Sequence, residues 1–456
     1  MIDPNRDIEQ YLRAADAEGL RISHVTETHI HADFVSGSRE LAARTGAQLY
    51  LSDEGGADWK YQYARDAGAV LLTGGAEFLV GNVRIEAVHT PGHTPEHLSF
   101  LVTDTAAASE PMAIVTGDFV FVGDVGRPDL LERAAHIEGT MVASARVLYQ
   151  SLQRFKRYPD YLQIWPGHGA GSACGKGLSA VPQSTVGYER RFNWSLAIDN
   201  VDEFVRLVLA GQPEPPAYFA DMKRINKEGP RPLNGFPGPR RLEQEQLQTV
   251  LQSGAIVVDT RPAVNFAAGH IRGTINIPLN RSYNTWAGWL MPYDRPFYLI
   301  VDDECSPCLD EAVRDLAMIG LDQVAGYIGS RTVSGWANSG HPLDTVSQMN
   351  AKELAERRPA GDVMVLDVRG HAEWESGHVP GAVSVPLGYL GQQSDQLPRD
   401  GLLVVHCQSG SRSAIAASVL RSMGFDKVVN LTGGLDGWRN AGYPVEAGQS
   451  LEAVMS

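Results

Sequence analysis

Hydrophobic and polar positions follow two kinds of pattern along the first half of the chain. Apolar residues recur at helical spacing over Asp7–Glu18 and Ser38–Thr45, which predicts two helices. The stretches AQLYLS and VRIEAVHT are short apolar runs that predict β-strands. Helices and strands that follow one another in this way indicate a mixed α/β fold.

A break in this pattern separates the two halves. The stretch NKEGPRPLNGFPGPRRLE, Asn226 to Glu243, is dense in proline and glycine and lacks hydrophobic periodicity. Such composition predicts a linker. We place the first domain at residues 1–228 and the linker at residues 229–242.

The second half contains an internal repeat. The stretch VVDTRPAVNFAAGHIRGTINIPLN, from Val257, aligns without a gap with VLDVRGHAEWESGHVPGAVSVPLG, from Val365. Each copy continues into a second apolar strand, a loop and an Ala/Leu-rich helical pattern. Strand, turn, strand and helix at this spacing indicate a parallel α/β sheet. The repeat predicts two copies of one domain, at residues 243–345 and 346–456.

The composition limits which binding partners the protein can have and which cellular compartment we expect for it. The chain of 456 residues has a net charge of −15, which repels nucleic acid and anionic membrane surfaces. Its sequence has no signal peptide and no apolar run that could span a bilayer, so we expect a cytoplasmic protein. The four cysteines are too few for a disulfide scaffold, and we expect reduced thiols.

Cys407 stands where a predicted strand ends, and the small-residue loop QSGSRS follows it. A helix is predicted to begin near Ser413. Backbone N–H groups in such a loop form an anion-binding nest that lowers a thiol pKa and stabilises a thiolate or persulfide. Arg412 would add a cation suited to a sulfur oxyanion. A buried, inert cysteine is the alternative, but the loop and Arg412 favour catalysis.

These motifs, with Asp367–Arg369, GHVPGA and GGLDGW, resemble a single-domain rhodanese, which is a sulfurtransferase. The resemblance implies that Cys407 carries a persulfide. It also implies that the loop binds this group, through Gln408, Ser409, Gly410, Ser411 and Arg412.

The first copy of the repeat lacks this nucleophile. Asp303 occupies the position of Cys407, which predicts a degenerate rhodanese-like domain that serves as a spacer or docking surface. A redox or metal-binding role of Cys305 and Cys308, spaced C-x-x-C, is the alternative.

Four candidate metal ligands of the first domain each follow a predicted strand: His29, His93, Asp118 and His168. This order resembles the metallo-β-lactamase fold. Two-zinc hydrolases of that superfamily have a histidine where this chain has Phe34, so we expect a mononuclear site. His29, His93 and Asp118 remain, and two imidazoles with one carboxylate are the set that binds Fe(II) and leaves open positions.

The first domain resembles the persulfide dioxygenases. The resemblance implies one Fe(II) ion on His29, His93 and Asp118, and places Arg127 near the anionic end of the substrate. It also implies that four residues line the pocket without binding the metal, namely His31, Asp33, His168 and Cys174. Relatives usually have further residues before the equivalent of IDP, so either the true start lies upstream or the fold has a truncated sheet, in which missing edge strands would expose apolar surface and unpaired backbone groups.

The whole chain resembles bacterial fusions of a persulfide dioxygenase and a sulfurtransferase. The resemblance implies a multidomain α/β protein, a metallo-β-lactamase αββα sandwich short at its amino terminus, followed by two rhodanese-like parallel α/β domains. It implies oxidation of a low-molecular-weight thiol persulfide by dioxygen to sulfite, with transfer of sulfur through Cys407 to give thiosulfate, or the reverse transfer. We expect a homo-oligomer, either a dimer or a tetramer.

Two other functions stay open. The first is a zinc thioester hydrolase of the glyoxalase II type fused to a sulfurtransferase, which Phe34 disfavours. The second is a persulfide sensor or carrier without metal.

Overall fold

The computed structural model describes residues 1–130, 139–172, 174–212 and 214–448, which form two compact units. The first unit comprises Met1–Gly235 with Ala317–Gly320, and the second comprises the remaining chain from Phe236. The boundary between Gly235 and Phe236 lies inside the predicted linker. None of the described helices has the length and apolar character that crossing a membrane requires.

The first unit contains two β-sheets. The smaller one is parallel, with the order β1-β2-β3, and its strands are His24–Thr26, Gln48–Ser52 and Val70–Leu72. Ile2 forms a parallel bridge to Thr26, so the first residues of the chain lie along the edge of β1. The larger sheet has the order β4 to β9, and its strands are Glu77–Val80, Val83–His89, Leu98–Asp104, Ala113–Gly117, Gln163–Pro166 and Ser184–Thr185.

Helices cover the outer faces of the two sheets. They are Ile8–Ala17, Ser38–Thr45, Met141–Phe155, Val186–Phe192, Val201–Leu209 and Phe219–Glu228, with a 3-10 turn at Ala57–Trp59. Leu41 belongs to a core between helices and the small sheet, Phe100 to a core between the sheets, and Leu152 to a core on the far side of the large sheet. The unit is therefore layered helix, sheet, sheet, helix, as expected.

The second unit contains two parallel sheets with the same strand order, which confirms the repeat. The first sheet has the order β10-β14-β13-β11-β12, and in chain order its strands are Arg240–Arg241, Ile256–Asp259, Ile275–Asn276, Phe297–Val301 and Val324–Gly329. The second has the order β15-β19-β18-β16-β17, and in chain order its strands are Ser347–Met349, Val363–Asp367, Val383–Ser384, Leu402–His406 and Val428–Leu431.

The helices of the second unit also correspond between the copies. Those of the first copy are Gln244–Gln252, Ala263–Ala268, Tyr283–Leu290, Cys308–Met318 and Arg331–Asn338. Those of the second copy are Ala351–Arg357, His371–Glu375, Leu390–Gln393, Ser411–Ser422 and Gly434–Asn440, with 3-10 turns at Arg358–Ala360, Leu387–Tyr389 and Ser394–Gln396.

Asn226, at the start of the Pro/Gly stretch, lies inside the helix Phe219–Glu228 and is 2% exposed, so the helix continues to the end of the predicted first domain. One expectation was wrong. Cys305 and Cys308 form a disulfide, whereas reduced thiols were expected. The helix that begins at Cys308 brings the two sulfur atoms together, because Cys305 lies in the turn just before it.

Gly92 allows the loop before His93 to pass close to a helix. Its φ is +140°, and a Cβ atom there would lie 2.4 Å from the Cα of Leu148. We expect Gly92→Ala to lower the free energy of unfolding by more than about 3 kcal/mol, because it combines backbone strain with a clash. Chemical denaturation of the metal-free protein measures this.

Gly75→Ala is the matched control. Gly75 has a φ of +88° with open space around its Cβ position, so its substitution should cost only about 1–2 kcal/mol. An equal decrease in the free energy of unfolding of the two variants would contradict the close packing of Gly92.

Candidate active sites

The ends of several strands in the first unit bring the candidate metal ligands together. His29 follows β1, His93 follows β5 and Asp118 directly follows β7. One ligand atom from each lies within 4.8 Å of the others, and all three side chains are buried. Gly126 packs against this cluster, since a Cβ atom there would lie 1.7 Å from the carbonyl oxygen of Asp118.

Hydrogen bonds orient both imidazole rings. Nδ1 of His29 lies 2.9 Å from Oγ1 of Thr28, and Nδ1 of His93 lies 3.0 Å from the carbonyl oxygen of Arg127. The Nε2 atoms of the rings then lie 4.0 Å and 3.7 Å from Oδ2 of Asp118. A hydrogen bond at Nδ1 fixes the ring orientation and leaves Nε2 as the ligand atom.

The protonation states of these groups suit a metal ion. Burial lowers the pKa of His29 well below its usual value and also lowers the pKa of His93, so both rings are neutral at neutral pH. Neutral imidazole is the form that binds metals. Among the described residues, Oδ2 of Asp118 is buried and has no hydrogen-bond partner of normal geometry. The three residues therefore fit a cation.

His168 lies beside this set. Its Nε2 atom lies 3.3 Å from Oδ2 of Asp33 and 3.4 Å from Oδ2 of Asp118. Burial would lower the pKa of His168, but the charge of Asp118 outweighs it and raises that pKa to about 12. Burial also raises the pKa of the Cys174 thiol to about 12. Asp33, His168 and Cys174 form a second group whose ligand atoms lie within 4.8 Å of one another.

His31 lies beside His29, with 4.2 Å between the ring centroids, and its Nδ1 atom lies 3.9 Å from Oδ1 of Asp33. The other ring nitrogen faces two carboxylates. Nε2 of His31 lies 3.1 Å from Asp3 and 3.2 Å from Glu27. Although burial opposes protonation, the two carboxylates hold the pKa of His31 well above its usual value. Neither carboxylate was among the site residues predicted from the sequence. The spacing of Glu27 from His31 could have suggested one of them, but Asp3 gave no local signal.

Asn226 supports the loop that carries His31 and Phe34. Its side-chain amide donates to the carbonyl oxygens of these residues at 2.8 Å and 2.7 Å, and its Oδ1 accepts from the N–H of Ser36 at 2.8 Å. The ring of Phe34 stacks at a tilt on His31, with 4.3 Å between the centroids. This role was not predicted, because Asn226 begins a stretch rich in proline and glycine that was interpreted as a linker.

Arg127 was predicted to lie near the anionic end of the substrate. Its guanidinium is fully buried and donates to both carboxylate oxygens of Asp129, at 2.9 Å and 2.8 Å. Its carbonyl oxygen is the one that orients His93. The charge of Arg127 is thus matched within the fold, while its backbone carbonyl oxygen orients His93, a candidate metal ligand.

Cys407 lies at the end of β18, and its loop wraps around the sulfur atom. Sγ accepts a hydrogen bond from the N–H of Gly410 at 3.2 Å, and Oγ of Ser413 lies at 3.6 Å. Gly410 has a φ of +103° and lies just before the helix Ser411–Ser422, which begins two residues before the predicted start. The loop and helix therefore present one backbone N–H and one hydroxyl group to the thiol.

The other loop residues are held by their neighbours. Arg412 donates to both carboxylate oxygens of Glu373, at 2.6 Å and 2.7 Å. Oε1 of Gln408 accepts from Arg369 at 3.1 Å, whereas Ser409 and Ser411 are exposed. Arg412 is thus a paired cation at the edge of the loop.

In the first copy of the repeat, Asp303 occupies the position that Cys407 has in the second copy. Its carboxylate accepts from Arg241 at 2.7 Å and from the backbone N–H of Arg331 at 2.8 Å. It thereby caps the helix Arg331–Asn338.

Two protein families match the chain. Residues 2–168 match the family model of the metallo-beta-lactamase superfamily, and residues 350–441 match that of the rhodanese-like domain. The crystal structure of a metallo-beta-lactamase from Staphylococcus aureus is 42% identical, with a TM-score of 0.65, over 72% of this chain and 91% of that chain.

Curated relatives match separate parts of the chain. A sulfurtransferase from Allochromatium vinosum is 32% identical over 22% of this chain and 96% of its own length. A hydroxyacylglutathione hydrolase from Methylococcus capsulatus is 33% identical over 34% of this chain. The chain spans 52% of the length of that hydrolase, and 47% and 40% of two further relatives.

The order of these matches along the chain agrees with the layered first unit and the parallel sheets of the second. The Cys407 loop lies within the rhodanese-like match, and the residues His29, His93 and Asp118 lie within the other. The chain therefore belongs to the metallo-beta-lactamase superfamily and is a fusion of such a domain with a carboxy-terminal rhodanese-like domain.

Proposed function

We propose that the chain is a non-haem iron persulfide dioxygenase fused to a rhodanese sulfurtransferase. Its substrate is a low-molecular-weight thiol persulfide, which dioxygen and water convert to the thiol and sulfite. Sulfur carried by Cys407 then passes to sulfite and forms thiosulfate. Together the two reactions remove sulfane sulfur and consume the sulfite that its oxidation releases.

The observation that carries the first activity is the buried set of His29, His93 and Asp118 beside Phe34. Two imidazoles and a carboxylate bind Fe(II) and leave positions open. Bound iron would supply the sites at which persulfide and dioxygen meet. Phe34 offers no ligand atom for a second metal, so this set favours a mononuclear centre.

The residues of the chain position and shield this chemistry. The hydrogen bonds that the rings of His29 and His93 make to Oγ1 of Thr28 and to the carbonyl oxygen of Arg127 hold the rings in place, and burial excludes bulk water. The side chain of His168 is 18% exposed and its Nε2 atom lies 3.4 Å from Oδ2 of Asp118, so this residue lines the open side of the proposed iron site.

Sulfur transfer at Cys407 needs no metal. The sulfur atom of sulfite attacks the outer sulfur of the Cys407 persulfide, and the bond between the two persulfide sulfurs breaks. Thiosulfate leaves, and Cys407 retains the electron pair as a thiolate. The N–H of Gly410 stabilises this charge, because it already donates to Sγ.

A second candidate is two-metal thioester hydrolysis. The hydroxyacylglutathione hydrolase relative favours it, as does the second donor group of Asp33, His168 and Cys174. Metal content and oxygen uptake distinguish it from the first candidate.

Replacing His29, His93 or Asp118 with alanine should weaken iron binding by more than about 100-fold, since loss of an outer partner alone costs about 10–100-fold. Metal analysis after anaerobic loading measures this. The control is His89→Ala, because His89 is partly exposed and pairs with Glu54 at 3.5 Å. Full iron binding by any of the three alanine variants would contradict the proposed ligands.

The product should depend on Cys407. With iron-loaded protein and a thiol persulfide, Cys407→Ser should leave oxygen uptake unchanged and lower thiosulfate formation at least about 100-fold, so that sulfite accumulates. An oxygen electrode and chromatography of the anions measure both.

The matched control is the double variant Cys305→Ser/Cys308→Ser, which removes the disulfide of the aligned loop, where Asp303 occupies the position of Cys407. It should form thiosulfate at the normal rate. Undiminished thiosulfate formation by Cys407→Ser would refute the transfer role.

Restoring a ligand at position 34 should change the metal content. We expect Phe34→His to raise it from about one to about two ions per chain, since a histidine there would join Asp33 and His168. The same substitution should lower oxygen uptake. Two ions in the unsubstituted protein would favour the hydrolase candidate instead.

A further inference from the structure

The helix that follows the Cys407 loop is enclosed by both copies of the repeat. The helix Ser411–Ser422 packs on β18 and β19 of its own copy and on β12 of the first copy. Oγ of Ser418 accepts a hydrogen bond from the N–H of Asn276 at 2.8 Å, and both residues are buried. Arg421 adds an ion pair with Asp344. The degenerate copy is therefore fixed against the helix that begins at the loop.

A cavity of about 630 Å³ lies between the two copies at the start of this helix. Sites for small molecules commonly measure roughly 300–1,000 Å³. The loop contributes Ser411 and Arg412 to one wall. The degenerate copy contributes the other wall, which includes Thr260, Asn280, Ser282 and Trp286. We call this cavity the tandem cleft.

The walls of the tandem cleft suit an organic molecule with amide or hydroxyl groups. The hydroxyl of Ser282 donates to Oδ1 of Asn280, and that of Thr260 donates to the carbonyl oxygen of Ile300. The two hydroxyl oxygens are left as acceptors and the side-chain N–H groups of Asn280 as donors, and Trp286 supplies a large apolar ring. Arg412 is the charged residue among the described lining residues, and Glu373 matches its charge. A small dianion such as thiosulfate would gain little from these walls, because anion binding depends on available cations and N–H donors.

We propose that the tandem cleft binds the organic part of a low-molecular-weight thiol persulfide while its terminal sulfur passes to Cys407. This inference rests on the proposed sulfur transfer at Cys407. Because Cys407 is 1% exposed, a donor must be held with its terminal sulfur directed into the loop. The degenerate copy then selects which persulfide donors reach Cys407 in the second copy, and is not only a spacer.

The transfer step is balanced within the two sulfur compounds. The Cys407 thiolate attacks the terminal sulfur of the persulfide, and a new sulfur–sulfur bond forms. The original sulfur–sulfur bond breaks, and the donor leaves as a thiolate. One sulfane sulfur has moved, and no external oxidant or reductant is needed.

The test compares two donors on the full-length protein. Intact-protein mass spectrometry follows the persulfide on Cys407 with glutathione persulfide or with inorganic thiosulfate. Trp286→Ala should raise the half-saturating concentration of glutathione persulfide about tenfold, as expected for a large aromatic contact. The rate with thiosulfate should stay within about twofold, because that donor does not use the Trp286 wall.

Three further variants sharpen the result. Trp286→Phe should restore most of the affinity for glutathione persulfide. Thr285→Trp, which fills the tandem cleft without removing a packed side chain, should cause the same selective loss as Trp286→Ala. Val264→Ala is the control, since Val264 lies in the adjacent helix Ala263–Ala268 and is 73% exposed.

Two outcomes would contradict the role of the tandem cleft and leave the proposed sulfur transfer intact. Equal losses with both donors would assign Trp286 a folding role, and no loss with either donor would show that the tandem cleft is not used. If neither donor places sulfur on Cys407 of the unsubstituted protein, the proposed sulfur transfer fails as well.

Discussion

The buried carboxylate of Asp118 is the constraint on which the first unit depends. A carboxylate that is 1% exposed is costly unless positive charge or hydrogen bonds offset its burial. Here two imidazoles and the protonated His168 surround it, each on a loop that follows a different strand. The two sheets must therefore keep their register for these loops to meet.

Much of this arrangement could be predicted from the sequence, because its signals are local. The helix periods at Asp7–Glu18 and Ser38–Thr45 and the aligned repeat correspond to observed elements. The convergence of His29, His93 and Asp118 could also be predicted, since each follows an apolar strand and the motifs occur in a known order. Local pattern and family resemblance agree at these positions.

The rest depends on contacts between distant parts of the chain. Asp3 reaches His31, and Asn276 reaches Ser418, across separations that no local pattern encodes. The disulfide of Cys305 and Cys308 was missed for another reason, because composition alone suggested reduced thiols. The pairing of Arg412 with Glu373 depends on how a loop of one strand meets the helix that follows another, which spacing does not reveal.

The role of Asn226 has a practical consequence for dissecting the protein. Asn226 lies in the helix Phe219–Glu228, which directly precedes the Pro/Gly segment. Its side-chain amide nevertheless donates hydrogen bonds to the carbonyl oxygens of His31 and Phe34, far earlier in the chain. A recombinant fragment cut ahead of this helix would leave those carbonyl groups without their hydrogen-bond donor and disturb the loop that follows His29. A fragment designed to fold as the first unit should therefore extend through Gly235, where this unit ends.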